Sequence, residues 1–377
     1  MRQRVMLLST VHPPTDPRIF YKIAPSLSTY YEVFCAMPGA RANTETNAFK
    51  TIRLPHFQGL FARALFCHPV ALWNYLRFRP DLVHIFVPEL LPLAFLFQWL
   101  GTKVIYEVQE NLYKKFSIKR YNNGAVYQFL FRLCDRIAMR RFHLIFTEHA
   151  YLDVYRDLAY PHVVIHNYAS LAFIDANKSC SGVISDKPQL FYTGVISMER
   201  CFDIIVAALA RLKVTYPTFH VHLFGPSRLD QKEMAKLPGF EDIRNNLTFY
   251  GYTDIKMALP FAQNATAGIA LLKPVADYPE SYTTKLFEYM SLGLPVITSD
   301  FPIYRDVVEQ SECGFCISPY DSDALYEKLR WIIENPGLAR SMGNNGRKSA
   351  EKNYNWQQEE GLLLSFYKSL LKSDRVM

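Results

Sequence analysis

A chain of 377 residues with 50% apolar and 20% charged side chains is globular rather than disordered, and long enough for two domains with a core each. Its net charge of +7 is uneven: up to Pro188 there are 22 Lys and Arg against 13 Asp and Glu, a balance of +9, and beyond it 20 against 22, a balance of −2. That asymmetry points to an anionic partner for the first half. The N-terminal apolar run, Val5 to Leu8, is too short for a signal-peptide core. LLPLAFLFQWLG at 90–101 falls short of the ~20 residues a membrane span requires. A cytoplasmic protein is expected. Seven scattered cysteines suit free thiols in a reducing compartment. Cys313 and Cys316 form a Cys-x-x-Cys without a second pair or nearby His, so they read as core thiols and no metal site is expected.

In chain order, the apolar runs RVMLLS, EVFCAM (32–37), TIRL (51–54), DLVHIF (81–86), KVIYEV (103–108), LIFT (144–147) and VVIH (163–166) read as strands. Helical patterns fall near 17–30, 66–78, 90–100, 123–141 and 149–157. Residues 175–189, DANKSCSGVISDKPQ, are polar and aperiodic and read as a linker. Alternation resumes with QLFYTG, a helix near 202–215, HVHLFG, LTFYGY, a helix near 254–263, GIALL, a helix carrying Glu288, PVITS, the short strand in CGFCIS, and three more helices. An amphipathic helix, NWQQEEGLLLSFYKSLLK, closes the chain. Strand–helix alternation predicts α/β architecture, with parallel sheets wound on both faces. Ligands of such sheets sit at the carboxyl ends of the strands, and two such domains favour the cleft between them.

The stretch ESYTTKLFEYMSL at 280–292 sets two carboxylates, Glu280 and Glu288, around a helix start, with Thr283 or Thr284 as the N-cap and Gly293 as the stop. Unpaired first-turn N–H groups and Lys285 make an anion cradle between them. Acceptor, cradle and acceptor match the order of sugar hydroxyls, pyrophosphate and ribose in a nucleoside diphosphate sugar. A surface helix with a Lys285–Glu288 pair at i,i+3 explains the same residues. Spacing alone leaves the two readings level.

Extended to PESYTTKLFEYMSLGLPVITSD, this stretch resembles the nucleotide-sugar motif of the family-four retaining glycosyltransferases, glycosyl transferases group 1. TVHPPTDPRIFYKIAPSL, VIYEVQEN, VIHNYAS, LFYTGVISMER, GYTDIKMALPFAQNATAGIALLKP and YNWQQEEGLLLSFYKSLL follow the family in order along nearly the whole chain. The resemblance implies the GT-B fold, two facing Rossmann-like doubly wound domains with a C-terminal helix crossing back. Residues 1–174 would bind the acceptor, 175–189 link, 190–353 bind the donor, and 354–377 form the returning helix.

It also implies metal-independent transfer of a sugar from a nucleoside diphosphate to an acceptor hydroxyl with retention, without a cofactor. By resemblance, Arg200 and Lys285 neutralise the departing diphosphate, helped by the N–H groups near Thr283 and Thr284; Glu288 holds the ribose and Glu280 the transferred sugar. Gly194 and Gly225 end strands on the donor side, Gly225 letting the backbone approach the base. Gln109 stands where relatives have His, and Glu107 where they have Asp. Val195 replaces one of two phosphate cations, and Cys201 replaces a glycine after Arg200. His12, Asp16, Arg18, Glu110 and Asn167 are candidates for the acceptor side, with a turn or capping role as the alternative for Asp16 and Asn167.

Between Leu112 and Arg141, eight basic residues (Lys114, Lys115, Lys119, Arg120, Arg132, Arg136, Arg140 and Arg141) face one acid, Asp135. Arg132, Arg136 and Arg140 recur every four residues, which describes a basic amphipathic helix. Contact with the inner face of the anionic cytoplasmic membrane, where lipid-linked acceptors are found, is expected of it; a solvated helix face is the alternative. FARALFCHPVALWNYLRFR at 61–79 is a second such segment. No nucleic-acid-binding motif accompanies the charge. A nucleotide-sugar epimerase of the same fold and a non-catalytic nucleotide-sugar binder are the alternatives to a glycosyltransferase. The oligomeric state is not legible.

Overall fold

The computed structural model describes residues 2–40, 48–116, 124–178 and 187–372. Lys119 and Arg120 of the basic loop and residues 179–186 of the expected linker lie outside them. The chain divides into two compact units. One takes in the described residues of 1–167 and 357–377, the other Tyr168–Trp356.

The first unit is built on β1 (Arg4–Leu8), β2 (Glu32–Pro38), β3 (Lys50–Leu54), β4 (Leu82–Ile85), β5 (Lys103–Val108), β6 (His143–Phe146) and β7 (His162–Val164). They form one parallel sheet in the order β3-β2-β1-β4-β5-β6-β7. A parallel sheet is covered on both faces, which is why its central strands are continuous apolar runs. Val5, Met6, Leu7 and Leu8 of β1 are all fully buried.

Helix α1 (His68–Phe78) continues a helical stretch that starts at Leu60–Ala62 and passes through a π-helical turn, Arg63–Cys67. Helix α2 (Ala125–Met139) follows β5. Two expected helices are shorter than their pattern. The segment near 17–30 is a π-turn, Ile19–Ile23, running into Ala24–Ser28, and 149–157 holds only the 3-10 turn His149–Asp153.

The second unit carries β8 (Gln189–Thr193), β9 (His220–Phe224), β10 (Leu247–Gly251), β11 (Ala267–Ala270), β12 (Val296–Ser299) and β13 (Gly314–Ile317), in the parallel order β10-β9-β8-β11-β12-β13. Residues 171–177, whose end was read as linker, form a helix, Leu171–Asn177. The Ser170 hydroxyl caps it by accepting from Phe173 N–H at 3.3 Å, and Ile174 is buried beneath it. Helix α3 (Thr284–Leu292) leads into β12. Helix α4 (Trp356–Lys372) packs on the first unit from residue 357 onward: Tyr367 OH meets His84 Nδ1 at 2.6 Å, and Gln3 Nε2 donates to Leu371 O at 2.9 Å. Both sheets change winding direction beside their first strand, between β1 and β4 and between β8 and β11. These are the switch points at which doubly wound sheets hold ligands.

Candidate active site

In the second unit the candidate donor residues gather at the carboxyl ends of β8 and β9 and at the start of α3. Gly194 follows β8 with φ +114°, a left-handed backbone that favours glycine. A methyl group there would lie 2.8 Å from Arg200 Nη1 and 2.9 Å from Lys285 Cε, so the two cations occupy the space a side chain would fill. Lys285 is 3% exposed. Its Nζ has no hydrogen-bond partner among the described residues and lies 3.9 Å from the centroid of the Tyr192 ring. Burial, and then the charge of Arg200, push its pKa well down. Lys285 is thus no part of a surface pair: it is buried, the Glu288 charge only partly opposes the fall in its pKa, and Glu288 accepts from Thr193 Oγ1 at 3.3 Å.

Thr283 occupies the N-cap position of α3, but its hydroxyl makes no capping bond. That corrects the expected cap and leaves the first turn of α3 without a side-chain oxygen from its own N-cap. Thr284 is the first helical residue, and Glu280 ends a 3-10 turn, Tyr278–Glu280, just ahead. At Gly225 (φ +142°) a side chain would meet Gly194 O at 2.1 Å. The glycine lets the backbone of Gly194 approach, and through it supports the donor side. Cys201 sits buried at φ +58°, so the left-handed turn is kept by a residue that enters it at a cost of about 1–2 kcal/mol.

In the first unit the carboxyl ends of β1, β4 and β5 enclose a cavity of about 220 Å³, lined among others by His12, Glu89, Gln109 and Glu110. Beneath it lies a closed polar network. Glu107, fully buried, accepts from Arg18 Nε at 2.8 Å and Arg18 Nη2 at 3.2 Å, and from Gln109 Nε2 at 2.6 Å. His84 Nε2 lies 3.4 Å from its other side. Burial alone would raise the Glu107 pKa; Arg18 and His84 outweigh it and hold the carboxylate well below its usual range. Gln109 Oε1 meets His12 Nε2 at 3.0 Å, and His12 Nδ1 meets Ser9 Oγ at 2.7 Å.

Of the acceptor-side candidates, His12 and Glu110 line the cavity, with Gln109 between them, and Arg18, Asp16 and Asn167 are not among its lining residues. Arg18 is buried on Glu107. Asp16 takes its turn role, accepting from Arg18 N–H at 3.0 Å and Ile19 N–H at 2.9 Å. Asn167 accepts from Lys22 Nζ. Sequence reading missed Glu89 and Arg63, a half-buried pair at 2.7 Å in the cavity wall. Glu89 follows β4 by four residues, and its position at a strand's carboxyl end was the available signal. Among the described residues no group of three or more His, Cys, Asp or Glu is arranged to hold a metal ion.

Residues 174–349 match the family model described as glycosyl transferases group 1. The capsular polysaccharide biosynthesis glycosyltransferase CapM of Staphylococcus aureus is 30% identical over 93 residues, 24% of this chain and 24% of its own, so the match spans about a quarter of that relative's length. Sucrose-phosphate synthase from Thermosynechococcus elongatus superposes with a TM-score of 0.73 at 18% identity, covering 99% of this chain and 100% of that one. Anabaena HepE in complex with UDP-glucose superposes with a TM-score of 0.72 at 15% identity, covering 98% and 100%. At such identities the structures show the fold, the two-sheet α/β architecture of GT-B glycosyltransferases.

Proposed function

We propose, for a chain that belongs through residues 174–349 to the glycosyl transferases group 1 family, that it moves a hexosyl or related sugar from a nucleoside diphosphate to an acceptor hydroxyl with retention of configuration. The observation that carries the reading is the Lys285 side chain, buried with no hydrogen-bond partner among the described residues, beside Arg200 at the glycine turn after β8. A lysine held in its charged form beside Arg200 at the start of a helix costs stability unless an anion arrives. A diphosphate supplies that anion, and Arg200 can grip it through two N–H donors.

Glu288, already oriented by Thr193, accepts from ribose hydroxyls, and Glu280 from the transferred sugar. The bond from the anomeric carbon to the phosphate oxygen breaks as the bond to the acceptor oxygen forms on the same face, and the acceptor's proton passes to the departing phosphate oxygen. Arg200 and Lys285 stabilise the charge that develops there, so no metal ion is called for. HepE binding UDP-glucose and the name of CapM support a nucleoside diphosphate sugar donor and surface polysaccharide or glycolipid assembly.

A thermal-shift panel of UDP-, GDP- and ADP-sugars tests this. A donor at a hundred times its Kd should stabilise the wild type by about 2.7 kcal/mol, and both Lys285→Met and Glu288→Ala should lose that gain. No stabilisation of wild type by any panel member, or full stabilisation of Lys285→Met, overturns the assignment.

A further inference from the structure

Helix α2 is turned against the ordinary rule for surface helices. Its single acid, Asp135, points inward, accepting from Tyr113 OH at 2.8 Å and Tyr155 OH at 3.1 Å. Its outer face instead exposes Val126, Phe129, Leu130, Leu133 and Ile137. Arg132, Arg136 and Arg140 are exposed among them. Among the described residues, Arg140 alone of the three pairs with a carboxylate, Asp157 at 3.7 Å. With Asp135 withdrawn, the outer face is apolar and cationic at once. The segment leading into α1 repeats the pattern, exposing Phe61 (81%), Leu65 and Phe66. Contiguous apolar exposure of this kind marks a contact surface.

The two segments meet at the cavity of the first unit. Arg63, between Phe61 and Leu65, and Tyr127, between Val126 and Phe129, both line it. The cavity's own charges are compensated: Arg63 by Glu89 at 2.7 Å, Glu107 by Arg18 at 2.8 Å, and Glu110 by Lys115 at 3.2 Å. What remains suits an uncharged ring with hydroxyls, and about 220 Å³ holds one ring rather than an oligosaccharide.

We propose that α2 and the segment from Leu60 seat on an anionic lipid bilayer, their apolar side chains entering the headgroup boundary. The cavity they flank takes the neutral sugar head of an acceptor anchored in that bilayer by its own lipid. This rests on the glycosyl-transfer reading for the acceptor, and the bilayer contact stands apart from it. Charge complementarity selects the bilayer over a second copy of the chain: an isologous contact through α2 would set arginines against arginines, whereas anionic headgroups pair with them.

The test is flotation of the full chain with vesicles of phosphatidylcholine, with and without phosphatidylglycerol. Wild type should float with the anionic vesicles. Phe129→Ser with Leu133→Ser, and separately Phe61→Ser with Leu65→Ser, should each cut the bound fraction at least tenfold although every arginine remains, with the melting curve and donor-induced thermal shift retained. In a Trp73→Phe, Trp99→Phe background, Tyr127→Trp should be quenched by brominated lipid as strongly as Phe129→Trp. Wild-type levels of binding by the serine variants, no binding by wild type, or a lipid-free dimer that Phe129→Ser with Leu133→Ser dissolves would each overturn the bilayer contact. Quenching at position 129 without quenching at 127 would overturn the lipid-anchored acceptor. Loss of the donor-induced shift in wild type would instead strike the glycosyl-transfer reading.

Discussion

The ends of β5 and β8 carry buried ionisable groups in opposite states. Under the first, Glu107 is matched on every side by Arg18, His84 and Gln109. Beside the second, Lys285 is buried with no hydrogen-bond partner among the described residues. A buried charge with its partners in place is part of the scaffold, and one left without them is an instrument that awaits a ligand. By that criterion the Glu107 network holds the wall of a cavity rigid, and the Lys285 site binds.

Breaking the matched network should cost most. Glu107→Gln leaves the Arg18 guanidinium buried without its carboxylate and should destabilise the protein by about 3–5 kcal/mol in denaturant titrations. A loss below about 1 kcal/mol would show that the network is not holding the fold.

Asp135 sharpens the contrast from within the same unit. Burial pushes its pKa up from 3.8 to about 6. Between those values the folded state holds the proton more tightly than the unfolded one, so this group's contribution to stability should rise as pH falls through about 6 and level off below 3.8. At neutral pH the ionised carboxylate should cost about 3 kcal/mol, and Asp135→Asn should recover most of that and flatten the profile. Glu107 works the other way. Its pKa is held down, so its stabilisation is present above the ordinary carboxylate range and is lost as pH falls through the folded value. Melting temperatures of wild type and both variants between pH 4 and pH 7 separate the two, within the roughly ordinary range of carboxylate titration.

The smallest effect falls on the unmatched site. Lys285→Met removes a buried ammonium and keeps the stem, so without donor it should raise stability by on the order of 1 kcal/mol. A clear loss of stability on that substitution would mean that Lys285 is structural after all, and the contrast with Glu107 would collapse.

Much of this was legible from residues alone. The central strands are apolar runs whose burial on both faces leaves no polar alternation to misread, as in the fully buried VMLL of β1. The donor residues Glu280, Lys285 and Glu288 lie within nine consecutive positions, so local spacing could suggest them. The Arg18–Glu107 pair joins residues 89 apart, and Arg63–Glu89 residues 26 apart; no local pattern records such partners. The helix Leu171–Asn177 was hidden because its roughly two turns end in polar residues and are held by a cap and by Ile174 rather than by a long apolar stripe.

The amino-acid sequence by itself determined the alternation of strand and helix, the glycine turns and the candidate donor motif, because these depend on neighbours a few positions apart. Only the tertiary structure decided which way the charges face. Lys285 was as compatible with a surface pair as with an anion site until its ammonium was seen buried against Tyr192. Helix α2 carries apolar residues on both sides, so its periodicity could not say that Phe131, Asp135 and Ala138 would be inside and Phe129, Leu133 and Ile137 outside. The reason is physical. Burial is a property of what packs against a side chain, and for Asp135 that was settled by Tyr113 and Tyr155, each about twenty residues away in the chain.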